Sequence, residues 1–97
     1  MSDVFAIADK HGRRIRLSHR AWAHISKRHP VMTSHLEEIK ETLKKPDALR
    51  RSGVDPDVWH YYRYQKSRPS PARYLLVLVK YLKNDGFIIS AYFVKHT

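Results

Sequence analysis

The sequence predicts an α+β domain: helices in the N-terminal half, packed on one face of an antiparallel sheet of about four strands, with a short hairpin ahead of them. Three observations carry this reading. Apolar residues recur at helical spacing between Ser18 and Lys45, strand-like alternation fills the chain from Val58 onward, and proline and glycine fall between these stretches. The 97 residues suffice for one modest core, so a single domain over 1–97 is expected.

Each element follows from local signals. Phe5 to Ala8 and Arg14 to Leu17 are short strand candidates, joined by a Gly12-containing connection of hairpin length. Ser18 is a suitable N-cap for a helix from His19 to Arg28, with Trp22 and Ile25 on its inner face. Pro30 disfavours helical geometry at His29 and ends that helix. A second helix is expected from about Ser34 to Lys45. Ser34 and Glu37 have capping-box spacing, Leu36, Ile39 and Leu43 make an apolar stripe, and Pro46 ends it. Ala48 to Ser52 is a short strand candidate, and Val58 to Gln65 a longer one rich in aromatics. Two prolines make Ser67 to Pro71 an extended loop. Arg73 to Leu82 is apolar on both faces over Leu75 to Val79, as a central strand should be. A turn at Asn84-Asp85-Gly86 should return Phe87 to Lys95 as the last strand, with Phe87, Ile89, Ala91 and Phe93 facing the core.

Charge is the most informative total. Nineteen basic against nine acidic residues give +10, distributed as +5 over residues 1–30, −1 over 31–57 and +6 over 58–97. Folded together, the two basic ends would form one surface that attracts a polyanion, and RNA is the expected partner. The chain has no cysteine, which excludes disulfides, thiol nucleophiles and thiolate metal sites. Neither a secretory leader nor an apolar run of spanning length is seen, so a cytoplasmic setting is expected. No HExxH, phosphate-binding glycine loop, dinucleotide fingerprint or nucleophile elbow occurs, and neither metal nor cofactor is expected.

Two regions hold chemistry-bearing side chains. Alternation sets Ser90 and Tyr92 on one face of the last strand, away from the expected core face. Lys80 shares a face with Leu76 and Leu78; by spacing alone it equally well snorkels from a strand end. The first helix supplies His24, Arg28 and His29. Imidazole is the usual proton carrier at neutral pH, and guanidinium holds a phosphate bidentately. For either histidine singly, a surface or helix-end role remains the competing reading. Further cations are Arg50, Arg51, Arg63, Lys66, Arg68 and Arg73, of which Arg51, Arg63 and Arg73 join Arg28 as expected phosphate contacts. Trp59, Tyr61, Tyr62 and Tyr64 interleave with cations as in single-strand RNA binders, though half of them must face the core.

The ordered segments WAHISKRHP (Trp22 to Pro30), KKPD (Lys44 to Asp47), YYRY (Tyr61 to Tyr64), RYLLVLVKYL (Arg73 to Leu82) and GFIISAYFVK (Gly86 to Lys95) resemble the phage-associated branch of the barnase, EndoU, colicin E5/D and RelE-like nuclease superfamily. The resemblance implies helices against a sheet whose other face holds the site, and metal-independent RNA cleavage through the 2′-hydroxyl. It implies His24, His29, Lys80, Ser90 and Tyr92 as catalytic, Arg28 as a phosphate ligand, and an acidic antitoxin or immunity protein as a possible class of partner. The chain departs from the pattern at Val31, where an acidic residue often stands, and at Ser90, where threonine is common. The expected function is therefore an endoribonuclease. The rivals are a non-catalytic nucleic-acid-binding module and a phage structural or interaction domain.

Overall fold

The computed structural model describes residues 3–97. The chain opens with a hairpin of β1 (Phe5–Ala8) and β2 (Arg14–Leu17), then runs through α1 (His19–Arg28), a 3-10 helix (Pro30–Ser34) and α2 (Leu36–Lys44). Strands β3 (Ala48–Arg51), β4 (Val58–Tyr64), β5 (Tyr74–Leu82) and β6 (Asp85–Val94) follow. Among the described residues they form one six-stranded sheet in the order β1-β2-β6-β5-β4-β3.

That arrangement corrects the expected four-stranded antiparallel sheet headed by helices. The strands come first, and the opening hairpin is an integral part of the sheet. Its β2 pairs in parallel with β6, Arg14 against Asp85 and Arg16 against Phe87, so the sheet is mixed. The hairpin was readable locally. Its partner lay some seventy residues away, where no local pattern reaches, and the connection that parallel pairing requires runs through both helices and strands β3 to β5.

Local chemistry explains the helices. Ser18 Oγ accepts the Ala21 N–H at 3.0 Å and starts α1. The His29 N–H closes α1 on the Ile25 carbonyl, and Pro30 then begins the 3-10 helix. Here too a correction is due. Ser34 does not cap α2: its hydroxyl turns back to the Val31 carbonyl, because the 3-10 helix has already used this residue. The stripe itself holds, with Ile39 and Leu43 buried and Leu36 packed against the core.

Both helices cover one sheet face. Ile25, Met32, Ile39 and Leu43 meet Ile15, Leu17, Tyr61, Leu75, Val77, Val79, Ile88 and Ala91, all nearly or fully buried. The face expected for β6 was half wrong, because a bulge falls between the pairs Leu78–Ser90 and Val79–Ile88. Ile89 is the extra residue, so the inward series runs Gly86, Ile88, Ala91, Phe93. Phe87 and Ile89 are exposed instead, at 37% and 41%. The preceding turn also lies one step earlier than expected. Lys83 takes the left-handed conformation at φ 59°, and Gly86 already sits inside β6. A Cβ there would lie 2.8 Å from the Tyr81 ring, which gives the glycine a packing role.

The other sheet face is open in the sense that no helix covers it, although Val58, Tyr62 and Leu76 are buried there. Across it the pairings give successive rows: Tyr62, Leu76 and Tyr92; His60, Leu78 and Ser90; Val58, Lys80, Phe87 and Arg16.

Candidate functional site

β6 pairs with β2 only through Phe87, and beyond that point the α1 corner lies near its outer edge. The break that Pro30 imposes sets His29 there, and its ring stacks on Tyr92 with centroids 4.9 Å apart and planes 24° from parallel. Opposite them stands the loop between β4 and β5. Its Arg68 donates from Nε to the Ala72 carbonyl at 3.0 Å and lays its guanidinium 3.7 Å over the Phe93 ring. Between these pieces lies a hollow of about 380 Å³ lined by Arg28, His29, Pro30, Val31, Arg68, Ala72, Tyr92 and Phe93.

The hollow thus joins one imidazole, one phenol and two guanidiniums, with apolar walls. It has the donors and cations to hold an oxyanion and a group able to exchange a proton beside it. Stacking fixes the His29 ring plane, and the Arg68 guanidinium is preset by its aromatic floor and its carbonyl tie.

Of the residues singled out in the sequence, His29, Tyr92 and Arg28 come together here. His24 is exposed on α1 and does not line the hollow. Ser90 shares the open face with Tyr92, one row along β6. Lys80 is on the same face but lies level with Phe87, roughly 13 Å along β5 from the row of Tyr92, taking about 3.3 Å per residue. Its Nζ donates to Asp55 Oδ2 at 3.0 Å, which ties it to the β3–β4 connection. The bond from the Asp57 N–H, then that from Lys80, keeps the Asp55 carboxyl below its ordinary pKa.

The remaining expected cations are occupied elsewhere. Arg51 lies over the Trp59 ring at 4.9 Å. Arg63 is on the helix face, bonded to Glu41 at 3.2 Å and to the Lys45 carbonyl at 2.7 Å. Arg73 braces the β4–β5 loop through the Ser70 carbonyl and the Tyr64 hydroxyl. Arg68 is the lining residue that sequence reasoning did not single out. Its only sequence signal was a cation just ahead of two prolines in a loop, a place where loops carry function.

A second polar cluster is structural. The Asp9 side chain, fully buried, accepts from the N–H groups of His11 and Arg13, from Arg13 Nε, and from the hydroxyls of Tyr81 and Tyr61. Tyr61 and Tyr81 also bond to each other, and Arg13 covers the Tyr81 ring. Burial alone would raise the Asp9 pKa, but these bonds and the Arg13 charge outweigh it and hold it below 3.8. Burial pushes both phenols upward. The cluster fastens the β1–β2 turn to the sheet's inner face.

Among the described residues, no three His, Asp or Glu side chains are grouped to hold a metal ion, and no helix is long and apolar enough to cross a membrane. No protein-family model matches the chain, and neither the curated proteins nor the solved structures give a match.

Proposed function

We propose that this protein is a metal-independent endoribonuclease whose site is the hollow between the α1 corner and the end of β6. One observation carries the reading: an imidazole stacked on Tyr92 in a hollow that the guanidiniums of Arg28 and Arg68 also line. His29 takes the proton of the RNA 2′-hydroxyl, whose oxygen attacks the adjacent phosphorus as the bond to the 5′-oxygen breaks. Arg28 and Arg68 hold the non-bridging oxygens, where charge rises in the transition state. The leaving 5′-oxygen receives a proton from Tyr92, the other proton-bearing hydroxyl in the hollow. The products are a 2′,3′-cyclic phosphate and a 5′-hydroxyl. Ser90 and the open face beyond it carry the neighbouring strand, while Lys80, its charge matched by Asp55, stands outside the reaction.

The Lys80–Asp55 pair and the outlying His24 favour one rival, a domain that binds RNA on this face and leaves it intact. A single-turnover assay with an end-labelled oligoribonucleotide in the presence of chelator separates the two. Cleavage to a cyclic phosphate, blocked by one 2′-deoxy substitution at the scissile residue and by His29→Ala, supports the nuclease. Binding in low salt with the strand uncut after long incubation rejects it in favour of the binding module.

A further inference from the structure

Beside the first hollow is a second, of about 230 Å³, lined by His35, Glu38, Gln65, Ser67, Arg68, Pro69 and Phe93. The two share Arg68 and Phe93, so the guanidinium-on-ring stack is their common wall. We infer that this second hollow is a nucleobase subsite, selecting bases that carry an exocyclic amino group over uracil.

A base next to a phosphate held in the first hollow has to lie a short step away, and the second hollow adjoins it across the Arg68–Phe93 stack. RNA-binding sites commonly hold unstacked bases on aromatic rings or guanidinium planes while side chains read their polar edges. Arg68, resting on Phe93, offers such a plane, and His35 stands edge-on to the same ring at 5.1 Å and 82°.

The polarity of the lining sets the selection. One N–H of Gln65 Nε2 is turned to the Arg63 carbonyl at 3.4 Å, and Oε1 remains free to accept. Glu38 adds a carboxylate. One of its oxygens is 3.5 Å from His35 Nδ1, a buried nitrogen that makes no hydrogen bond, and the other is unengaged by that contact. An amide oxygen and a carboxylate are acceptors only. Adenine and cytosine offer such a pair both hydrogens of one amino group, and guanine offers its amino group beside N1–H, whereas uracil has a single N3–H between two carbonyl oxygens. A uracil there satisfies one acceptor and sets a carbonyl oxygen against the other.

The inference rests on the nuclease reading for the identity of the ligand, so its test measures binding alone, apart from cleavage. The full chain is titrated by calorimetry with the four ribonucleoside 5′-monophosphates, which differ only in the base. The adenosine, cytidine and guanosine compounds should bind about tenfold more tightly than the uridine compound, the scale of one charge-assisted hydrogen bond. Gln65→Leu and Glu38→Gln should each cut that preference to about threefold or less, Glu38→Gln also by giving uracil an amide donor for its carbonyl. Circular dichroism checks their folding, and either folded variant suffices. Equal affinity for all four compounds, no binding of any, or a preference that survives both substitutions overturns the subsite. Failure of the wild type to cut RNA, with base preference intact, would instead overturn the nuclease and leave a base-reading binding site.

Discussion

Stacking on Tyr92 restricts the His29 ring to one plane without using either of its nitrogens, which stay free for proton exchange. Removing the imidazole should therefore leave the fold nearly untouched and the chemistry severely impaired. His29→Ala is expected to lower kcat by about 10²- to 10⁴-fold, with a melting temperature close to wild type. Tyr92 separates two roles. Tyr92→Phe keeps the ring but loses the proton, so a fall in kcat there identifies the phenol as the acid, whereas an effect confined to Tyr92→Leu identifies a positioning residue. Asp9 shows the opposite division, stability without a place in the hollow. Its folded pKa lies below the unfolded value, so its contribution is complete above the unfolded pKa and is lost as pH falls through the folded one. Urea midpoints of the wild type should therefore drop on acidification below about pH 4. Asp9→Ala, which leaves Arg13 and two phenols without their acceptor, should cost about 2–4 kcal/mol at pH 7 and show a flatter acid limb.

At the level of elements, β6 determines most of the geometry. Its glycine lets the Tyr81 ring lie against the strand, and its bulge turns Ser90 and Tyr92 to the open face. Gly86→Val drives side-chain carbon into Tyr81 and Val79, and a loss of about 1–3 kcal/mol is expected by chemical denaturation. Deleting the bulge residue, Ile89, leaves Val79–Ile88 and Leu78–Ser90 as adjacent pairs of a regular ladder, so Ser90 and Tyr92 keep their face. Cleavage should survive this deletion, with far-ultraviolet circular dichroism still reporting strand. The bulge also marks where sequence reasoning stopped. Alternation located Lys80, Ser90 and Tyr92 on a common face, yet a strict period of two cannot contain an extra residue, so Phe87 and Ile89 were assigned to the core. The helix from His19 to Arg28 was fully legible, because its cap and its proline are local. Ser34 misled for a related reason: a serine three before a glutamate fits a cap, and only the five-residue 3-10 helix that ends on it decides otherwise. Arg68 was one of several loop cations, and the distinction it acquires comes from Phe93, which is far from it in sequence.

For the molecule as a whole, the parallel pairing of β2 with β6 is what joins the two basic ends of the chain. Their charges then act together, although several are matched by carboxylates, as Arg63 is by Glu41 and Lys80 by Asp55. RNA affinity should accordingly weaken with salt less steeply than +10 would suggest. Two or three phosphate contacts give a log–log slope of about −1.4 to −2.1, and Arg28→Ala or Arg68→Ala should each lessen it by about 0.7. A fluorescence-anisotropy titration at several salt concentrations reads this directly. A slope unchanged by either substitution would place the bound strand elsewhere.

The strand order has a consequence for how the molecule is made. β6 lies between β2 and β5, so the opening hairpin has no neighbour to dock on until almost everything after it has left the ribosome. Pairings so distant along the chain form late and slowly. The corner bearing His29 gains Tyr92 at that same moment. Under the proposed nuclease reading, a chain halted at Leu82, which lacks β6 and Tyr92, should leave a labelled RNA uncut.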